Sequence, residues 1–343
     1  MNLRNLSSIL GLSQTTVSRA LNGFPEVSEE TRVRVKAAAD LHGYRPSAAA
    51  RRLATGQSGT LGVVFPRERN LLGDLLFTEF LVGVVQQASD LGYDITLAMT
   101  TGTQNEENVY RRTVRSARVD GMILSSPLLV DPRINLLRHL RMPFVLHGRT
   151  QSTQDFPFLD IDNEGAFYQA TKLLTDLGHR RIALLNGDPK FFFANDRNTG
   201  YLKALAQSHI QPRTDLMLGG PMTQATGHVE ASRLLALPPE GRPTAFLCST
   251  ISQAEGVAGV VRQLGLQIGR DVSLIAHDDR LQEQRAEHFD PLLTATQSSI
   301  GDAGRRIVEL LVNHLRNISD RAEQHVWPVD LVVRRSTGPA PRE

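Results

Sequence analysis

One cysteine, Cys248, is all that the 343 residues contain, so no disulfide within the chain can staple the fold. Long apolar runs are missing as well. None approaches the ~18 residues of a membrane-crossing helix, and no apolar signal segment opens the chain. A cytosolic protein without a membrane role is the expectation. The sequence also has no GxGxxG, no GxxxxGK[ST] loop, no GxSxG elbow and no His/Cys/acid cluster at metal-binding spacing. An enzyme, a resident metal and a cofactor are therefore not expected. Low-complexity sequence is confined to the polar tail STGPAPRE.

What is present is a globular composition, 41% apolar and 22% charged, in a chain long enough for a small module plus a larger two-lobed one. The net charge of +2 is unevenly placed: residues 1–58 hold eight Lys/Arg against four acids, which leaves the rest of the chain net negative. A basic excess at one end suits a polyanionic partner there.

Residues 11–23 read GLSQTTVSRALNG, in which Ser13 is a natural N-cap because its hydroxyl can accept from the unpaired amides of a first helical turn. Val17, Ala20 and Leu21 then form one apolar stripe, and Gln14, Thr15, Ser18 and Arg19 point elsewhere. Their chemistry is selective: Gln fits the N6/N7 edge of adenine, Thr a polar group or thymine methyl, Arg the O6/N7 edge of guanine. A solvated helix face is the plainer account of the same residues. Upstream, Leu3, Leu6 and Leu10 have helical spacing and Gly11-Leu12 make a short turn, which is helix-turn-helix spacing. Downstream, Ser28 caps a third helix with Glu29 and Glu30 in its first turn. Val33, Ala37, Ala38 and Leu41 form its expected core face, and Gly43 ends it. In RPSAAARRLATGQSG, Ser47 can cap a helix of only about eight residues, too short to hold without a partner.

From Thr60 the pattern becomes apolar strands alternating with helical stretches. TLGVVFP, YDITLAMT, GMILSSP and PFVLHG form one series, and RIALLNG, LMLGG, TAFLCST and DVSLIAHD a second. Such alternation means parallel sheets with right-handed crossovers, and two series mean two lobes. Open parallel sheets bind ligands beyond the carboxyl ends of their strands. That rule singles out Phe65, Ser125, Ser126, Asp160, Asn186, Thr250, His277 and Asp278, mostly polar, as suits a small-ligand cleft. Arg197, at the expected start of a helix after the loop DPKFFFAND, offers a rigid fork of donors. The loop aromatics Phe191, Phe192 and Phe193 suit stacking on a sugar ring or simple inward packing. Asp160 and Asp162, two apart on a strand, share a face, with Asp162 either lining the cleft or capping a helix. His277 reads as a satisfied packing residue, and Asp279 as a helix cap.

Taken together the motifs resemble the lactose repressor and galactose repressor (LacI/GalR) family of bacterial transcription regulators. LSQTTVSRALNG, VSEETRVRVKAAADLHGYRPS and ARRLATGQS carry the resemblance at the start, and LGHRRIALLNG, NDRNTGYLKAL and SLIAHDD carry it onward in order and spacing. The resemblance implies DNA contacts from Ser13, Gln14, Thr15, Thr16, Ser18, Arg19 and Asn22. It also implies a hinge helix in the minor groove that presents Ala50 and Leu53, with Leu53 the wedge that kinks the duplex. For the cleft it implies Phe65, Asp160, Phe193, Arg197, Met222, Thr250 and Asp278, the last accepting from adjacent hydroxyls. Three departures unsettle the particular sugar. Thr250-Ile251 supplies no acid where members often have one, Ser298-Ser299 stand after LTAT where Gln-Pro is common, and Met222 replaces a tryptophan of the family's namesake.

The expected architecture is α/β: an all-α helix-turn-helix headpiece (1–45), a hinge helix and linker (46–58) and a two-lobed, periplasmic-binding-protein-like core (59–343) with two parallel sheets. Lobe 1 is expected at about 59–158 plus 291–322, and lobe 2 at about 159–290 plus 323–340. The expected partners are pseudo-palindromic double-stranded operator DNA, a small sugar effector and a second copy of the chain, since STGPAPRE has no heptad tail for a larger assembly. A sugar receptor would have no use for a helix-turn-helix; a purine or sugar phosphate is the alternative effector.

Overall fold

In the computed structural model, which describes residues 1–44, 57–65, 74–100, 105–116, 118–151, 155–316 and 322–341, the chain opens with three short helices. These are α1 (Leu3–Leu10), α2 (Gln14–Leu21) and α3 (Glu29–Leu41). Each begins at a side-chain cap, from Asn2, Ser13 and Ser28 in turn. Leu6, Val17, Ala20, Val27, Val35, Ala39 and Tyr44 bury a common core between them. One expectation fails here: Val33 is 60% exposed and Leu41 80%, and the buried pair on α3 is Val35 and Ala39. Apolar residues occur on both sides of this helix, so their spacing does not choose a face. Two arginines fix its rotation, Arg32 donating to the Phe24 carbonyl at 3.1 Å and Arg34 to the Leu10 carbonyl at 3.1 Å. The expected hinge helix, with Ala50 and Leu53, lies outside the described residues.

The core domain has two six-stranded sheets. The first contains β1 (Thr60–Phe65), β2 (Asp94–Met99), β3 (Gly121–Ser125), β4 (Phe144–His147), β5 (Phe158–Ile161) and β11 (Gln324–Trp327), in the order β11-β5-β4-β3-β1-β2, all parallel. Helices α4 (Leu75–Asp90), α5 (Glu106–Arg115), α6 (Pro132–His139) and α11 (Ile300–Leu315) belong to this lobe. The second sheet contains β6 (Ile182–Asn186), β7 (Met217–Gly219), β8 (Ala245–Cys248), β9 (Ser273–Asp278), β10 (Thr294–Gln297) and β12 (Asp330–Val332). Its order is β12-β10-β9-β8-β6-β7, with β12 antiparallel, and its helices are α7 (Asn163–Asp176), α8 (Phe192–Gln207), α9 (Gln224–Leu235) and α10 (Ile251–Gln263). The near-continuous apolar strands are buried on both faces, as parallel strands between helix layers must be.

Three crossings join the lobes: β5 to α7, β10 to α11 and β11 to β12. Strand β10 therefore belongs to lobe 2, and β5 and β11 to lobe 1, which corrects the expected cuts near residues 158, 291 and 322. Those strands are short and polar at their ends, so nothing in their composition marks the lobe they join.

Candidate DNA-reading face and effector cleft

Helix α2 presents Gln14, Thr15 and Arg19 to solvent, while Val17 and Ala20 are fully buried. Ser13 Oγ accepts from the Thr16 amide at 3.0 Å and lies 2.8 Å from Thr16 Oγ1, so both hydroxyls serve the cap. Asn22 donates to the Ser18 carbonyl at 2.8 Å, which closes the other end of the helix. Three free-ended side chains thus stand on a rigid helix whose ends are held by the other residues expected at the DNA.

Residues at or just beyond the carboxyl ends of β5, β6 and β8, where the strand-end rule expects a ligand, gather around one side chain. That side chain is Arg197. It lies in the second turn of α8, since that helix starts at Phe192; Phe192 and Phe193 are helical, not loop residues as expected. Its Nε donates to Asn163 Oδ1 at 2.8 Å and its Nη1 to the Ser249 carbonyl at 3.2 Å. The guanidinium also lies over two rings, 4.9 Å from the centroid of Phe167 and 5.0 Å from that of Phe193. With carbon against its flat side, Arg197 offers a ligand its in-plane N–H groups. Burial lowers its pKa to about 10, which leaves it charged at neutral pH, and Asp279 and Asp160 act in the opposite direction.

The two acids that end SLIAHDD have different surroundings. Both oxygens of Asp278 hold the loop that follows β9: Oδ1 accepts from the Arg280 amide at 2.8 Å, and Oδ2 from the Ala286 amide and Gln297 Nε2, each at 3.1 Å. Its neighbour Asp279, like Asp160, acts electrostatically on Arg197, and burial pushes its pKa up to about 7. Alternation along an extended chain explains the difference, because successive side chains point to opposite faces. His277, on the Asp279 side, is held by Thr296 Oγ1 and Ser298 Oγ at 2.9 Å each and stays neutral, burial and then Arg197 depressing its pKa.

Asp160 is the penultimate residue of β5 and is buried. Its Oδ2 accepts from Arg149 Nε at 2.8 Å and its Oδ1 from the Ile161 amide at 2.8 Å; burial raises its pKa against the pull of Arg149. Asp162 accepts from the Gly165 amide at 2.8 Å as the cap of α7. Thr250 caps α10 and donates to the Met222 carbonyl at 3.4 Å. A Cβ at Gly187 would meet the Phe193 ring at 2.8 Å and the Met222 sulfur at 3.4 Å, so these two expected cleft residues flank the same glycine. Phe193 also stacks on Phe191, with centroids 5.8 Å apart. Phe65 is fully buried against Phe77, centroids 4.4 Å apart, and is a core residue of lobe 1.

Four participants were not anticipated: Arg149, Asn163, Asp196 and Ser249. Arg149 lies two residues beyond β4 and was within reach of the strand-end rule. The others sit on helices or bind through backbone, where no local pattern marks them.

A helix-turn-helix headpiece attached to a two-lobed core with a polar interlobe cleft defines a ligand-responsive DNA-binding regulator. Comparison with known proteins makes this specific. The family described as bacterial regulatory proteins, lacI family, matches residues 9–47, and the periplasmic binding protein-like domain matches residues 171–337. The chain is 44% identical to the HTH-type transcriptional regulator AglR of Rhizobium meliloti (strain 1021) over 342 residues, which is 99% of this chain and 95% of that one. It superposes on the lac repressor dimer bound to operator and the anti-inducer ONPF with a TM-score of 0.81, at 25% identity, covering 98% of this chain and 99% of that one. The CelR–cellobiose complex gives 0.72 at 26% identity, covering 98% and 99%. The chain belongs to the lacI family: it is a DNA-binding transcriptional regulator, not an enzyme.

Proposed function

We propose that the chain is a repressor of a carbohydrate-utilisation operon. It binds a pseudo-palindromic operator as a homodimer, through Gln14, Thr15 and Arg19 with Ser13, Thr16, Ser18 and Asn22 in support and Ala50 and Leu53 at the hinge. A small saccharide between the lobes sets its operator affinity. The observation that carries the effector reading is the oriented Arg197 fork beside Asp279, in a cleft with Asp160, Thr250, Met222 and Phe193. Fixed donors and acceptors beside apolar surface suit the hydroxyls and ring faces of a sugar. A relative of known structure is a cellobiose complex. The cleft sets Asp160, Asp196 and Asp279 against Arg149 and Arg197, and this balance favours an uncharged sugar over a sugar phosphate or another anionic effector.

The test combines gel shifts on DNA upstream of the protein's own gene with calorimetry against cellobiose, maltose, raffinose, glucose 6-phosphate and hypoxanthine. A neutral saccharide that binds and alters the shift supports the reading. Response to the phosphate or the purine alone overturns the effector class, and no specific shift overturns the regulator.

A further inference from the structure

Lobe 1 and lobe 2 meet along a seam that is separate from the three covalent crossings. Its lobe 1 side is the turn after β3: Pro127 accepts from the Phe192 amide at 3.0 Å, and the Leu129 amide donates to the Lys190 carbonyl at 3.2 Å. These two bonds make a short antiparallel bridge between Leu128 and Phe191. The segment after β4 joins it, because Leu129 also accepts from Thr150 Oγ1 at 2.6 Å and from the Gln151 amide at 3.0 Å. Next in that segment is Arg149, whose Nε reaches Asp160 of its own lobe and whose Nη2 reaches Asp196 Oδ2 on α8, each at 2.8 Å. Its guanidinium lies over the Phe192 ring, 5.4 Å from the centroid.

The lobe 1 half is rigid. Ser126 sits at φ 49, a left-handed conformation unusual for serine. Arg133 holds that turn through the Ser125 carbonyl at 3.1 Å while pairing with Asp131, whose carboxylate accepts from the Leu128 amide at 3.1 Å. The lobe 2 half is the first turn of α8, the helix that carries Phe193 and Arg197.

We propose that this seam is an effector-independent latch, with Arg149 as the positioning residue that ties the start of α8 to lobe 1 and so presets the lobe arrangement that the operator requires. The latch rests on the regulator reading above. An effector entering beside Arg197 acts on a helix already clamped at two points, so a small displacement of α8 is met by loss of the Arg149–Asp196 pair and of two main-chain bonds together. In this proposal the latched form is the DNA-binding form.

The test uses the full-length, ligand-free chain. Asp196→Ala removes only the interlobe arm and leaves Asp160 paired, so it is the primary variant; Arg149→Ala, the double variant and Arg149→Lys accompany it. Hydrogen exchange at the Leu129 and Phe192 amides reads the seam directly, and anisotropy with operator duplex reads the consequence. The expected result is about tenfold faster exchange at both amides in either single variant, no further change in the double, and partial rescue by lysine. Operator affinity should fall about threefold or more while the melting temperature of Asp196→Ala stays close to that of the unaltered chain. Unchanged protection, multiplicative effects in the double variant, or lost protection with unchanged operator affinity overturns the latch. If the unaltered chain binds no operator, the regulator reading fails instead, and the exchange data still decide whether Arg149 holds the seam.

Discussion

Arg197 and Asp279 influence each other's charge but are served very differently by their surroundings. The arginine keeps its charge because Asn163 and the Ser249 carbonyl take its hydrogen bonds and two rings accept its flat side. The aspartate is less well served. Burial raises its pKa to about 7 and that of Asp196 to about 6, despite Arg197 beside the first and Arg149 beside the second. A carboxyl raised in this way binds its proton more tightly in the folded chain than in the unfolded one. Its contribution to stability is complete below the ordinary carboxylate range and is lost as pH rises through 6 to 7. Asp279→Asn removes the proton exchange but keeps the shape. The variant should melt higher than the unaltered chain at pH 8, and the gap should narrow or reverse at pH 5. A gap independent of pH would show that Asp279 ionises as an ordinary surface acid.

At the scale of elements, the placement of Arg197 depends on how closely α8 lies on α7. A Cβ at Gly200 would stand 2.1 Å from the Glu164 carbonyl oxygen and 2.8 Å from the Tyr168 amide nitrogen. Backbone cannot swing aside as a side chain can. Gly200→Ala gains about 1 kcal/mol of helix propensity but forces the helices apart, at a typical overpacking cost of ~1–3 kcal/mol. The net effect on melting is therefore small and unfavourable. The larger effect falls on the cleft, where Arg197 Nε would lose Asn163 Oδ1. Calorimetry should show saccharide affinity reduced at least about tenfold with a modestly lower melting temperature. Full affinity with a raised melting temperature would mean that the two helices have room to spare. The sequence exposed some of this level and hid the rest. Strands such as LGVVF, MILS and IALLN announce themselves because both faces are buried, whereas TATQ, QHVW and DLV are short and half polar, so β10, β11 and β12 left no apolar signal. Helix α11 was not singled out in the sequence, though it lies within residues 291–322, the stretch expected in lobe 1, and it packs on that lobe's core. Within the cleft, Arg197 was legible because it follows a strand by one loop. The different surroundings of Asp278 and Asp279 were not, because adjacent identical residues leave only backbone geometry to tell them apart.

For the molecule as a whole, the question is how a headpiece with one eight-residue reading helix gains specificity. Gln14, Thr15 and Arg19 are exposed on α2 and can address only a few base pairs. A homodimer doubles that set on a pseudo-palindrome, and the doubling has a numerical consequence. Removing one bidentate base pairing costs ~1–3 kcal/mol of discrimination, and the dimer incurs that cost in both half-sites, so Arg19→Ala should cost ~2–6 kcal/mol on the full operator. On a duplex with one half-site scrambled the same substitution should cost about half as much. Binding to random DNA, and its dependence on salt, should change far less, because phosphate neutralisation dominates that mode. Anisotropy titrations on full, half-scrambled and random duplexes at two salt concentrations measure all of these terms. Equal losses on the full and half-scrambled operators would mean that a single headpiece does the reading, and the dimeric arrangement would have to be abandoned.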